Sequence, residues 1–278
     1  QRNQEETNQY DISSNIELGK LFPEKSRVSI PLFVGASNTT INPEYYPKEP
    51  DRLLHEVINE AESEAERKQI KEISQDYIQR NSINLTNIRV NKELKKWRIF
   101  SPANFSLSAA YNESRARNYK VERNNIIQYK LGFNYVYNAR PKSITPFSKS
   151  KSLKSPYLRF VKDFNIAPYP SRFTFRTNMN RDYNEIKLRN VYDDRLIKID
   201  STVTKDFIWD RYYDLNWDLT RSLKFDISAS NTARIDEIAG AYDWFREGDH
   251  EEWSKSVWSS IMNGGRPVAY NHSLNATY

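Results

Sequence analysis

The chain has 278 residues, with 42 Lys and Arg against 36 Asp and Glu for a formal net charge of +6, only 38% hydrophobic residues and a mean hydropathy of −0.83. That is thin for a globular core of this size but ordinary for strands with one wet face. The lack of cysteine excludes disulfide frameworks, thiol catalysis and Cys-based zinc sites, and no apolar run approaches the roughly 18 residues of a membrane-crossing helix.

The opening segment, QRNQEETNQYDISS, lacks a basic region followed by an apolar one, so the chain reads as an internal piece of a larger secreted protein. Residues 1–50 are expected to hold strands and a loop. An amphipathic helical insert is expected over 51–82, where Leu53, Leu54, Val57, Ala61, Ile70, Ile73 and Tyr77 recur at helical spacing among Glu and Lys. Pro47, Pro50 and Asp51 supply its start signal, and Asn81 with Ser82 its stop.

From 83 to 238 the period is two. Ile127, Tyr129, Leu131, Phe133, Tyr135 and Tyr137 alternate with Gln128, Lys130, Gly132, Asn134 and Asn138. Phe173, Phe175 and Met179 alternate with Arg172, Thr174, Arg176 and Asn178. The segment 207–219 carries Phe207, Trp209, Tyr213, Leu215, Trp217 and Leu219 against Asp210, Asp214, Asn216 and Asp218, and after Thr220, Arg221 and Ser222 the alternation resumes as a hairpin partner. Such strands reach the roughly 9–11 residues that cross a bilayer when tilted. Many long strands with one aromatic-rich dry face and one wet face predict an all-β fold, an antiparallel transmembrane β-barrel wall segment with one helical insert. On this reading Ile127, Tyr129, Leu131, Phe133, Tyr135, Trp209, Tyr213, Leu215 and Trp217 face lipid. Gln128, Lys130, Asn134, Asp214, Asn216 and Asp218 face the lumen.

Connection lengths suggest an orientation, because bacterial barrels keep short turns in the periplasm and long loops outside. The segments 167–171 and 220–222 read as tight turns; 139–156, 190–201 and 234–265 read as long loops. Arg211 is the misfit on the dry face and is expected to snorkel to headgroup phosphates. Residues 239–265 are expected to form a long aromatic extracellular loop in which Trp244, Phe245, Trp253 and Trp258 need a covering partner. The stretch 266–278, with Tyr270, His272, Leu274, Ala276 and Tyr278 in phase, begins a further strand.

Catalytic constellations are missing from the sequence: His55, His250 and His272 are unrelated in spacing, and there is no HExxH and no glycine-rich phosphate loop. No enzyme activity, cofactor or metal is expected. The basic run from Arg140 to Lys162 lacks any nucleic-acid-binding motif and reads as a solvated loop facing anionic headgroups, so no nucleic-acid partner is expected.

Five segments, at residues 30–54 (IPLFVGASNTTINPEYYPKEPDRLL), 76–90 (DYIQRNSINLTNIRV), 164–189 (FNIAPYPSRFTFRTNMNRDYNEIKLR), 211–237 (RYYDLNWDLTRSLKFDISASNTARIDE) and 263–278 (NGGRPVAYNHSLNATY), resemble in order the SprA/Sov family, the gliding-motility and type IX secretion translocons of Bacteroidota. The resemblance implies part of the wall of a very large outer-membrane β-barrel, a protein-conducting channel through which folded cargo proteins, gliding adhesins included, reach the cell surface. It also implies as partners the outer-membrane lipid, the PorV shuttle barrel, a periplasmic plug protein and cargo with a C-terminal signal domain. The residues alone leave a second reading open, an outer-membrane receptor or soluble β-sandwich module that binds a glycan or protein ligand.

Overall fold

The structure is a computed structural model that describes residues 4–92, 99–148, 161, 163–191, 199–240 and 249–278. Its strands are β1 (Glu5–Glu17), β2 (Val28–Ser29), β3 (Pro31–Pro43), β4 (Tyr45–Tyr46), β5 (Glu49–Leu53), β6 (Asp76–Val90), β7 (Phe105–Arg117), β8 (Val121–Asn138), β9 (Arg172–Leu188), β10 (Thr202–Trp217), β11 (Lys224–Arg234) and β12 (Arg266–Thr277). The helices are α1 (Leu54–Glu60), α2 (Glu64–Ser74) and α3 (Asp249–Met262). One antiparallel sheet of ten strands carries the order β1-β3-β6-β7-β8-β9-β10-β11-β12, with β2 paired to β6; β4 and β5 form a separate ribbon. The all-β antiparallel class expected from the alternation is therefore what the chain forms. Among the described residues the sheet stays open, with β1 and β12 as its two edges.

The meander follows from the sequence period, because a one-residue slip would move every apolar side chain to the opposite face. Register is continuous over Asn216↔Arg172 to Thr202↔Ile186 and over Trp217↔Phe225 to Ile208↔Arg234. The register shifts between Val121 and Arg123 in β8–β9, between Thr232 and Ala233 in β11–β12, and once more in β6–β7. The β6–β7 register shifts between Leu85 and Ile88, where Asn87 adopts φ of 52° and its N–H donates to Ser108 Oγ at 2.9 Å. Asn tolerates this left-handed backbone and a β-branched residue does not. Asn87→Val is accordingly expected to lower stability by roughly 1–2 kcal/mol and Asn87→Gly to leave it nearly unchanged, read from the thermal unfolding midpoint of the full-length protein.

The helical insert is shorter than expected. Helix occupies only 54–60 and 64–74; Asp51–Leu53 belongs to β5, and 76–82 is already β6. Tyr77, counted in the helical stripe, pairs with Thr40 of β3 and Arg117 of β7. Ten consecutive β3–β6 register pairs outweigh the local helical spacing, and Asn81 and Ser82 are weak helix formers that fit a paired strand. Ser63 caps α2 by accepting from Glu66 N at 3.2 Å, while the Glu66 carboxylate reaches back to Glu62 N at 3.0 Å. Leu54, Ala61 and Ser74 are the buried residues of this unit.

The expected alternation of short turns and long loops also fails. Asn138 pairs directly with Arg172, so the connection that holds 139–156 and 167–171 starts and finishes at the same sheet end as the β10–β11 turn. That connection docks on the turn: Ala167 N donates to Leu219 O, Arg221 N to Asn165 Oδ1 at 2.8 Å, and Trp217 Nε1 to Ala167 O at 3.0 Å. The opposite end joins β7 to β8 through only 118–120 yet also holds 44–75. Each end mixes short and long connections, so loop length selects no orientation. Most of the basic run, including Lys149, Lys151, Lys154, Arg159 and Lys162, lies outside the described residues.

Candidate functional site

Register sorts the long strands into two chemically different faces. On one, Leu32, Leu85, Ala109, Leu131, Met179, Trp209 and Ala233 stand opposite one another in seven successive strands. The adjacent row on that face, Leu107, Phe133, Thr177, Arg211 and Asn231, is mixed; beyond it the rows run Phe105, Tyr135, Phe175, Tyr213 and Ala229, then Tyr137, Phe173, Leu215, Ile227 and Leu274. Aromatic rings meet across these rows, with centroids 5.0 Å apart for Phe105–Tyr135 and Phe175–Tyr213 and 6.0 Å for Tyr135–Phe173. Ile127, Tyr129, Leu131, Phe133, Tyr135, Trp209, Tyr213, Leu215 and Trp217 all lie on this apolar face.

The other face is wet. Ser108, Gly132, Asn178, Asp210 and Thr232 form one row, and Ser106, Asn134, Arg176, Tyr212, Ser230 and Asn271 another. Its side chains bond across strands: Gln128 Nε2 to Asp182 Oδ1 at 2.8 Å, Thr232 Oγ1 to Asp210 Oδ1 at 2.6 Å, Asn216 Nδ2 to Asp226 Oδ1 at 2.5 Å. Gln128, Lys130, Asn134, Asp214 and Asn216 belong to this face. Asp218 lies just past the end of β10, 4.0 Å from the Lys224 ammonium.

The apolar face has vertical limits. From the Ile127 row upward the same face turns ionic, with Glu113 opposite Ile127 and paired to Arg115 at 2.6 Å, and Arg123–Glu185 at 2.5 Å. Below Tyr137 the strand ends at Asn138. The ten steps from Ile127 to Tyr137, at about 3.3 Å each and tilted about 45°, rise roughly 23 Å, close to the apolar band of about 25 Å on membrane barrels. Phe207 to Trp217 spans the same number of steps on β10.

One element covers part of this face. Residues 249–262, expected within an aromatic loop, form helix α3 and pack Trp253, Val257 and Ile261 against Phe207, Trp209, Met179 and Ile235. The spacing of 253, 257 and 261 is itself helical, and the period was obscured by the charges between. Trp244 and Phe245 lie outside the described residues. Gly264 and Gly265, with φ of 79° and 72°, end the helix in a Schellman turn: Gly265 N donates to Ser260 O and Gly264 N to Ile261 O. A Cβ at Gly265 would come within 3.0 Å of Ala233 Cβ and Ile235 Cδ1, so glycine also lets the chain lie flat on β11.

A polar spine fastens α3 to the sheet. Arg181 sits on the apolar face in register with Tyr129 and Phe207, and its Nε donates to Glu237 Oε1 at 2.5 Å. Trp253 Nε1 donates to the same carboxylate oxygen at 2.7 Å. The guanidinium lies 5.3 Å from the Trp253 ring centroid and 5.6 Å from that of Tyr129. The side chains are 11% and 2% exposed, making this a buried ion pair roofed by a helix. Asp236 N donates to Ser260 Oγ at 3.2 Å and Ser256 Oγ to Asp236 O at 3.3 Å. Arg211 does not snorkel: its Nη2 donates to Asn231 Oδ1 at 2.6 Å and to Gly264 O at 2.8 Å, and its guanidinium stacks 4.2 Å over Trp209. Sequence reading missed Arg181 and Glu237, although Arg181 breaks the apolar phase of β9 between Met179 and Tyr183.

Between α3 and the sheet lies an open trough of about 1000 Å³ whose floor includes Leu85, Ala109, Tyr111 and Leu131 and whose helical wall includes Trp253 and Trp258. No helix among the described residues is long and apolar enough to cross a membrane, which says nothing of strands.

Residues 1–58 match the SprA_N family, described as a motility related/secretion protein. No curated protein matches the chain.

Proposed function

We propose, from the premise that this chain is SprA-related and so motility- and secretion-related, that it forms part of the wall of the protein-conducting channel of the type IX secretion system. Its apolar face meets outer-membrane lipid and its wet face lines an aqueous path for folded cargo. The observation that carries this reading is the band on one face: mostly aliphatic and aromatic, roughly 23 Å tall, with its two arginines, Arg181 and Arg211, each bound within the protein, and backed by a face of Asn, Ser, Asp and Arg. A soluble sandwich would bury such a face against a second sheet; here α3 is the cover among the described residues. The accessible surface is 20181 Å², whereas a compact monomer of 32.9 kDa exposes about 12,500 Å². That excess suits a segment completed by lipid and by further wall.

The role needs no catalytic residue and no cofactor. The shuttle barrel PorV, a periplasmic plug and cargo with C-terminal signal domains are the partners this reading brings with it.

Single cysteines placed at Leu131 and Asn134 of the full-length protein in its native membrane test the facing. Leu131→Cys is expected to react with a lipid-dissolved maleimide and Asn134→Cys with a membrane-impermeant one added to opened cells. The reverse pattern, or water-soluble labelling at both positions, would overturn the wall assignment.

A further inference from the structure

The outer surface of α3 changes character along its axis. Glu251, Lys255, Trp258 and Met262 follow one another at helical spacing along an exposed strip of the helix, which borders the trough at Trp258. At the N-terminal end the exposed groups are ionic, with Glu251 and Lys255 paired at 3.6 Å. At the C-terminal end the large exposed side chains are apolar, with Trp258 61% and Met262 81% exposed beside the small Ser259. A helix on an aqueous surface has no reason to present Trp and Met at one end only, whereas a helix entering the edge of an apolar phase does. The trough beside it is lined mostly by aliphatic and aromatic side chains, with Lys130 and Arg181 as its charged members, and it includes Leu131 and Met179 of the apolar band. The buried charges nearby, Arg181 and Glu237, pair with each other under Trp253.

We propose that the trough between α3 and the sheet is a seat for the acyl chains of membrane phospholipid, and that α3 dips its Trp258–Met262 end into the lipid while Glu251 and Lys255 stay in the water layer. The inference rests on the lipid-facing reading of the band and deepens it: the band would carry a defined lipid site instead of bare annular contact alone. Its size suits chains of this kind, since about 1000 Å³ lies at the upper end of the range for small-molecule sites. Filling the trough with hydrocarbon removes apolar wall from water without demanding a hydrogen bond from the ligand.

A phospholipid with a photoreactive diazirine in its acyl chain, incorporated into membranes holding the full-length protein, tests this by peptide mapping after illumination. The expected result is adducts on 253–262 and on the floor around Ala109, together with adducts on Leu215 and Ile227, apolar-face residues remote from α3. Ala109→Trp, which fills the floor, is expected to reduce the 253–262 adducts at least threefold and to leave those at Leu215 and Ile227 unchanged. Adducts at Leu215 and Ile227 without any in the trough would overturn the lipid seat and leave the wall reading standing. No adducts at either place would overturn both. A protein segment cross-linked to a diazirine amino acid at Ala109, with no lipid adduct there, would assign the trough to a protein partner and overturn the proposal.

Discussion

Glu237→Leu is expected to destabilise the protein by about 3–5 kcal/mol, because it strands the Arg181 guanidinium beneath α3 in apolar surroundings with no counter-charge. Glu237 is 2% exposed, and its Oε1 is shared by Arg181 Nε and Trp253 Nε1, so one carboxylate holds both the sheet cation and the helix indole. The double variant Arg181→Met, Glu237→Leu is expected to recover most of that loss, since it removes both charges together and leaves Trp253 over a hydrocarbon floor. Thermal melts of the full-length protein in detergent, with tryptophan emission as the probe, would read both. If the single variant costs under about 1 kcal/mol, the pair is open to water and α3 is not the roof described here.

Leu131→Arg is expected to cost about 2–4 kcal/mol and Asn134→Arg much less, the depth-dependent cost of a cation on the lipid side of a barrel wall. Leu131 lies near mid-height of the band, with Ala109 and Met179 as its cross-strand neighbours, so a guanidinium there has a long way to reach headgroups. Asn134 lies among Ser106 and Arg176 on the wet face. The comparison requires a bilayer. Equal costs at the two positions, measured as the loss of heat-resistant folded protein in native membranes, would mean that neither face meets lipid.

The strands were legible because their information is local. Six apolar residues in phase from Ile127 to Tyr137 leave a single register that keeps them together, and the partners found for them in β7 and β9 carry the same phase. The helical insert was legible in type but not in extent. Where a helical stripe runs into a segment that also alternates, as at Tyr77, neighbouring strands decide, and β3 and β7 were already paired on both sides of β6. Loop lengths misled for a similar reason: a length does not say which strands pair, and the pairing of Asn138 with Arg172 brings 139 and 171 to one sheet end.

The candidate site divides along the same line. Period-2 chemistry by itself determined the antiparallel class and which side chains share a face, since backbone geometry alternates side chains whatever the partner. Tertiary structure decided that Trp253, Val257 and Ile261 turn onto that face as a helix, that Arg211 binds Asn231 and Gly264, and that Arg181 finds Glu237 across 56 positions of chain. Contacts of that kind join residues far apart in sequence, and their stability comes from burial that exists only once the sheet has formed, so no local pattern announces them.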